Sequence, residues 1–260
     1  GGMEIEIDEL TKNARVIGVH LLIRGGAVGL AAVAADRYFS LDWRGGVLVA
    51  LALFTPSTGF ILESLGTMQL TDQERTWIKS KAIAAELLAL ATMFVILQST
   101  SFARLFWSSA ALLALAGAIP VTLLLYRRYV LPHVPKTEFA FLLIIAVLSG
   151  YLTKYLGAYY LAGAFLVGFI VSIMRDRFPR LSALPNQHAV EAFSSLFVPF
   201  YFFHAGLQIP TDAIRPVSAL LGLGAVFVIL PLRITVIAAV RHVQLGEPWR
   251  RSARIAAPLM

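Results

Sequence analysis

The sequence predicts an all-α polytopic membrane protein. Three observations carry that prediction: the composition, the length of the apolar runs, and the placement of the basic residues between them. Of 260 residues, 58% are hydrophobic and only 14% charged, with a mean hydropathy of +0.76. A chain of this size has room for a large core, but a surface carrying so few charges requires an apolar solvent. Apolar runs occupy residues 15–35, 46–66, 80–98, 105–126, 139–156, 158–174, 192–209 and 217–240. Most approach the roughly 20 residues that a helix needs to cross hydrocarbon. They are too long and too uniformly apolar for barrel strands, which alternate over about 10 residues. A ninth run begins near Ser252, and the sequence stops at Met260 before completing it.

The basic residues divide the chain in the same way. If successive runs cross in alternate directions, one side receives Lys12, Arg15, Arg75, Lys79, Lys81, Arg127, Arg128, Lys136, Arg175, Arg177, Arg180, Arg241, Arg250, Arg251 and Arg254. The other receives Arg37, Arg44, Arg104, Lys154 and Arg215. Fifteen against five, repeated loop after loop, is the bias of the positive-inside rule, and it puts the start of the first span in the cytoplasm. The net charge of +7 then reflects topology and contact with anionic membrane lipid. It needs no nucleic-acid partner, and no basic–aromatic interleaving suggests one.

Other classes lose ground on composition. With no cysteine there is no disulfide framework and no thiol chemistry, and the five histidines are scattered without zinc-site spacing. No nucleophile or cofactor pattern accompanies the spans, so an enzyme is not expected. The opening GGMEIEIDEL is polar and acidic, unlike a signal peptide, and Gly1-Gly2 before Met3 reads as an appended remnant. A chain ending in IAAPLM directly after a basic stretch is expected to be a fragment, and any cytoplasmic regulatory domain would lie beyond Met260.

Ionisable residues deep in apolar spans are costly and mark function or internal pairing, although Lys and Arg also reach the interface by snorkelling. Glu86 is the clearest, in KSKAIAAELLALATMFVILQ. A glutamate has no long cationic stem with which to reach headgroups, so it must face protein, water, an ion or a proton. It reads either as a carboxylate occupied alternately by H⁺ and a metal cation, or as a structural carboxylate bonded to another helix. In the second span, Thr55, Pro56, Ser57, Thr58 and Gly59 interrupt the apolar run. Proline removes a donor and clashes with the preceding turn, while hydroxyls satisfy loosened backbone groups. A helix broken near the midplane exposes carbonyls and dipole ends that hold ions, although kinked membrane helices also occur without that use. Arg233, in VFVILPLRITVIAAV, would pair with a carboxylate or lie near the end of a broken helix; snorkelling is its structural alternative. Arg24, followed by Gly25 and Gly26, would neutralise an internal carboxylate or serve local structure. Gly157, Gly163 and Gly168, with Ala158, Ala162 and Ala164, offer small surfaces for close helix packing, and His204, in an aromatic stretch, reads as a packing residue.

In their order and spacing these segments resemble the membrane domain of the monovalent cation:proton antiporter superfamily, especially the branch of glutathione-regulated potassium efflux systems and bacterial sodium:proton antiporters. ALALFTPSTGFILESL resembles the first discontinuous core helix, with Thr55, Pro56 and Ser57 at its crossing. AIAAELLALA resembles the ion-binding helix, where many members carry an acidic pair or Asn-Asp; Ala85 and Glu86 stand there, one carboxylate in place of two. GAYYLAGAFLVG resembles the later glycine-rich helix, LFVPFYFFHAGLQI the phenylalanine- and glycine-containing segment, and Arg233 a basic position often held by Lys. WRRSARIAAPLM resembles the approach to the second broken helix.

The resemblance implies part of an antiporter inverted-repeat fold with a discontinuous helix. Residues 1–14 would be a polar segment or remnant, 15–103 part of the ion-translocating core, 104–138 a linker helix and loop, 139–214 scaffold and dimerisation-type helices, and 215–260 the basic core helix and the start of a further one. It implies exchange of Na⁺ or K⁺ for H⁺ without a cofactor, in a bacterial inner or cell membrane, by a homodimer. Glu86 would bind the transported cation and the proton, with Thr55, Ser57 and Thr58 assisting, Pro56 structural, and Arg233 and Arg24 structural or charge-compensating. Two other readings stay open: a broken-helix organic-anion:sodium symporter, and a transport-inactive structural or sensing module, which gains from the missing acidic partner. The orientation has a direct check in this cysteine-free chain. Single cysteines placed near 67–79, 127–138, 175–191 and 241–251 are expected to react from the cytoplasmic side, and preferential labelling from outside would reverse the topology.

Overall fold

The computed structural model describes Met3 and residues 14–55, 61, 65, 68, 70–134, 136–156, 159–181 and 183–256. Nine α-helices follow one another among them: α1 Ala14–Phe39, α2 Trp43–Phe54, α3 Asp72–Gln98, α4 Phe102–Leu125, α5 Glu138–Tyr155, α6 Tyr160–Ile173, α7 Leu184–Leu207, α8 Pro216–Leu245 and α9 Trp249–Ala256. A π-helical turn, Tyr126–Val130, continues α4, and no strand occurs among the described residues. Six helices are long and apolar enough to cross a membrane, whereas Trp43–Phe54 and Tyr160–Ile173 are apolar but shorter. The protein is an all-α polytopic membrane protein. Its many exposed leucines and phenylalanines, such as Leu220 at 68% and Phe203 at 68%, are what hydrocarbon as solvent permits.

Several boundaries differ from those read in the sequence, for local reasons. Helix α3 begins at Asp72, well before the apolar run at 80, because a capping box starts it. The Thr71 backbone N–H and hydroxyl donate to Glu74 Oε2 at 2.8 and 2.9 Å, and the Glu74 N–H returns to Thr71 Oγ1 at 3.4 Å. At its C-terminal end α8 runs to Leu245 and stops at Gly246, whose φ of 65° places it in the left-handed region. Helix α9 supplies the start of the ninth run.

The chain forms two compact units, with the division falling inside α3 after Glu86 and inside α7 after Ser194. The first unit comprises residues 1–14 and 87–194. Its core joins Leu115, Ile119 and Leu123 of α4 to Leu142 and Ile145 of α5 and to Val167, Ile170 and Val171 of α6. Tyr126 closes one end: its ring stacks on Phe141 at 3.6 Å between centroids, and its hydroxyl is 2.9 Å from Thr137 Oγ1. Helices α5 and α6 approach through small residues, as the glycine pattern suggests. A Cβ on Gly163 would lie 2.6 Å from Thr153 Oγ1 and 2.7 Å from its Cγ2, and would press on the Ser149 carbonyl. Glycine is therefore needed there for backbone approach. Gly157 and Ala158, which share the pattern, lie outside the described residues.

The second unit comprises residues 15–86 and 195–260. Its core joins Ile61 and Leu65 to Ile78 and Ala82 of α3, Ile237 and Ala238 of α8, and Ile255 and Ala256 of α9. Asp42 caps α2 by accepting from the Gly45 N–H at 3.1 Å. Gly46 sits so close to α1 that a Cβ would fall 2.8 Å from the Ala32 carbonyl oxygen. Helices α1 and α2 thereby approach backbone to backbone near the start of α2.

Candidate functional site

Helix α2 has 12 residues, and at 1.5 Å per residue it rises about 18 Å. The hydrocarbon layer is about 30 Å thick, so a helix of this length ends before crossing it. The stop is local chemistry: Thr55 precedes Pro56, and the residue before a proline is pushed out of the helical region. Thr55 is extended at φ −91° and ψ 118°, and its N–H makes the last helical bond, to the Leu51 carbonyl. Its Oγ1 is buried without a hydrogen-bond partner among the described residues. Pro56, Ser57, Thr58 and Gly59, and with them the rest of the expected break, lie outside the described residues.

A helix ending away from water leaves carbonyls that need donors, and they carry the negative end of its dipole. Two arginines from distant parts of the chain supply them. Arg24 of α1 donates from Nη2 to the Phe54 carbonyl, and Arg233 of α8 donates from Nη1 to the Leu53 carbonyl at 2.9 Å. Both side chains are half-buried. For Arg233 the observed contact is with a carbonyl in the last turn of α2. Arg24 makes the neighbouring contact, on a carbonyl oxygen, where the sequence leaves a carboxylate partner and a local structural role open.

Glu86 lies on α3 directly after Ser80–Ala85, six consecutive residues that are all buried. Six residues cover more than one helical turn, so protein surrounds this stretch on every side. Glu86 itself is half-buried. Among the described residues no hydrogen bond or ion pair reaches its carboxylate, and none joins it to Thr55, Arg24 or Arg233. The structure thus unites the two arginines with the end of α2 and leaves the glutamate's carboxylate unengaged among those residues. His204 is exposed, with Nε2 2.9 Å from Gln208 Nε2.

Sequence reasoning misses a second group of charges in this unit. The count of basic residues places Lys81 and Arg241 in flanking loops, but they lie inside α3 and α8 at 1% and 2% exposure. Both rest on the Trp77 ring. Glu74, of the α3 capping box, also binds Arg251 of α9, and that partner pushes the Arg251 pKa further up. The Thr71-Asp72-Gln73-Glu74 capping pattern is the sequence signal that moves the start of α3 upstream and places Glu74 and Trp77 on the same helix as Lys81.

Long apolar helices, and a short one whose last carbonyls are held by two arginines, are an architecture that secondary transporters also use. The chain belongs to the sodium/hydrogen exchanger family, whose model, described as "Sodium/hydrogen exchanger, transmembrane", matches residues 1–260. No curated protein matches the sequence. Membership makes this an integral membrane transporter of the cation:proton exchange class, with no covalent chemistry and no cofactor in the exchange. Within it, the arginine pair is open to a stability test. Arg24→Met and Arg233→Met are each expected to lower thermal stability, and because they hold adjacent carbonyls their effects should couple by about 0.5–3 kcal/mol in a double-mutant cycle. Additivity within about 0.5 kcal/mol would mean that the two act on separate structures.

Proposed function

We propose that this protein exchanges Na⁺ or K⁺ for H⁺ at a single shared site, with Glu86 as the carboxylate that both occupy. The observation that carries the reading is the end of α2: a helix stops at Phe54, and its final carbonyls are held by Arg24 and Arg233. A carbonyl end is a place where cations gather, and a guanidinium there balances its partial charge when no ion is bound. Glu86 follows the most enclosed stretch of α3, and among the described residues its carboxylate is unengaged, as a carrier group requires.

From one side of the membrane Glu86 gives up its proton and receives a partly dehydrated cation, with Thr55, Ser57 and Thr58 and nearby carbonyls supplying further oxygens. A conformational change then exposes the ion to the other side, and protonation releases it. Arg24 and Arg233 stay charged throughout, because a guanidinium does not deprotonate in this range and shuttles no proton. Since Ala85 supplies no second carboxylate, one cation entering balances one proton leaving, and the exchange is electroneutral.

Proteoliposomes containing the full-length protein test this, with a cation gradient driving the pH change and membrane potential imposed separately. Glu86→Gln keeps size and hydrogen bonding but removes the titratable charge, and should abolish coupled flux while the protein stays folded. Glu86→Asp should keep a reduced flux if the shorter chain still reaches the ion. Robust exchange by Glu86→Gln would reject Glu86 as the carrier, and strong potential dependence in the unsubstituted protein would reject the one-to-one stoichiometry. Cation uptake without proton movement would favour a sodium-coupled symporter.

A further inference from the structure

Lys81 and Arg241 pack against one indole ring on α3, and two carboxylates connect Arg241 to the more exposed Arg251. Lys81 Nζ lies 3.8 Å from the Trp77 ring centroid, and Arg241 Cζ lies 4.3 Å from the same centroid. The carboxylates are already engaged. Glu247 takes Arg241 in a two-point pair, Nε to Oε2 at 2.8 Å and Nη2 to Oε1 at 2.9 Å. Glu74 Oε1 takes Arg251 Nε and Nη2 at 2.8 Å each and stands 4.0 Å from Arg241 Nη2, while its Oε2 serves Thr71.

What remains is a set of donors that still need an acceptor. Lys81 Nζ, Arg241 Nη1 and Trp77 Nε1 are all buried without a hydrogen-bond partner among the described residues. Cation–π attraction accounts for the two cations resting on the ring. It does not satisfy an ammonium with three N–H donors, a guanidinium nitrogen and the indole N–H in a place this deeply enclosed. By formal charge, and among the described residues, Lys81, Arg241 and the exposed Arg251 stand against Glu74 and Glu247, one positive charge in excess.

We propose that Lys81, Arg241 and Trp77 form an anion-binding site, and that its occupant is a small monovalent inorganic anion such as chloride. One negative charge closes the balance, and a spherical halide accepts from several donors without a demand on their directions. A lipid headgroup is a poor fit, because Lys81 and Arg241 are 1% and 2% exposed and a phosphate tethered to acyl chains does not reach them. The site ties α3 to α8 directly and, through Glu74, to α9. It is built from other residues than Glu86 and does not depend on which ion Glu86 carries.

The test uses the purified full-length protein, with chloride replacing gluconate at constant ionic strength and fixed cation. A saturable rise in Tm of about 2–4 °C is expected, lost in Lys81→Gln and kept in Arg250→Gln, whose side chain is exposed on α9. Iodide provides an independent readout through tryptophan quenching. Trp43, Trp107 and Trp249 are 55%, 70% and 46% exposed and should be quenched collisionally without saturation. A saturable component should come from Trp77 and vanish in Trp77→Phe, so the site stays testable even where Lys81→Gln folds poorly. A Tm that ignores chloride, an unsaturated rise equal in Lys81→Gln, or iodide quenching identical in Trp77→Phe would each overturn the site.

Discussion

A helix that stops inside hydrocarbon has no water for its last carbonyls, and this constraint organises the second unit. Pro56 dictates the stop by forcing Thr55 out of helical geometry, and the 12 residues of α2 are too few to reach the far interface. Donors must therefore be brought in. They come as guanidiniums from α1 and α8, whose Arg24 and Arg233 engage two adjacent oxygens. The close approach of α1 to α2 at Gly46, where a side chain would strike the Ala32 carbonyl, belongs to the same arrangement. Two cations thus stand where a transporter of cations has its dipole end, and they offset the partial charge of that end.

Helix α3 links this arrangement to a second set of buried charges. Its first turn is closed by the Thr71–Glu74 capping box, and Glu74 extends that cap outward to Arg251 of α9 and toward Arg241 of α8. A few turns on come the enclosed residues Ser80–Ala85 and then Glu86. Buried charge is tolerated only where partners offset desolvation. Arg24, Arg233 and Arg241 meet that condition through carbonyls or carboxylates, while Lys81 rests on an aromatic ring. Of the two units, it is the second, built from 15–86 and 195–260, that holds every ionisable group proposed to act.

Much of this is legible in the sequence. The apolar runs locate the helices, because a membrane segment must satisfy its backbone internally and is therefore long and uniform. Pro56 announces the end of α2, and Arg233 stands out as a charge inside an apolar run. Gly163 is readable as a packing site from its spacing with alanines. Less is legible where pairing decides. The positive-inside count treats every cation near a span's edge as a loop charge, so it misses the burial of Lys81 and Arg241. For Arg24 the sequence leaves a carboxylate partner and local structure both open, because a carboxylate and a helix terminus offer oxygens to the same donor. The short α6 reads as a full span because hydropathy reports apolarity more clearly than length.

The central claim is that proton and cation compete for one carboxylate, and counting protons tests it without any transport. Calorimetric titration of Na⁺ or K⁺ into the full-length protein, repeated in buffers of different ionisation enthalpy, gives the number of protons released per cation bound. Competition at Glu86 predicts a release that approaches one proton per cation as pH falls to where the empty site is protonated. Cation binding that releases no protons at any pH would contradict it.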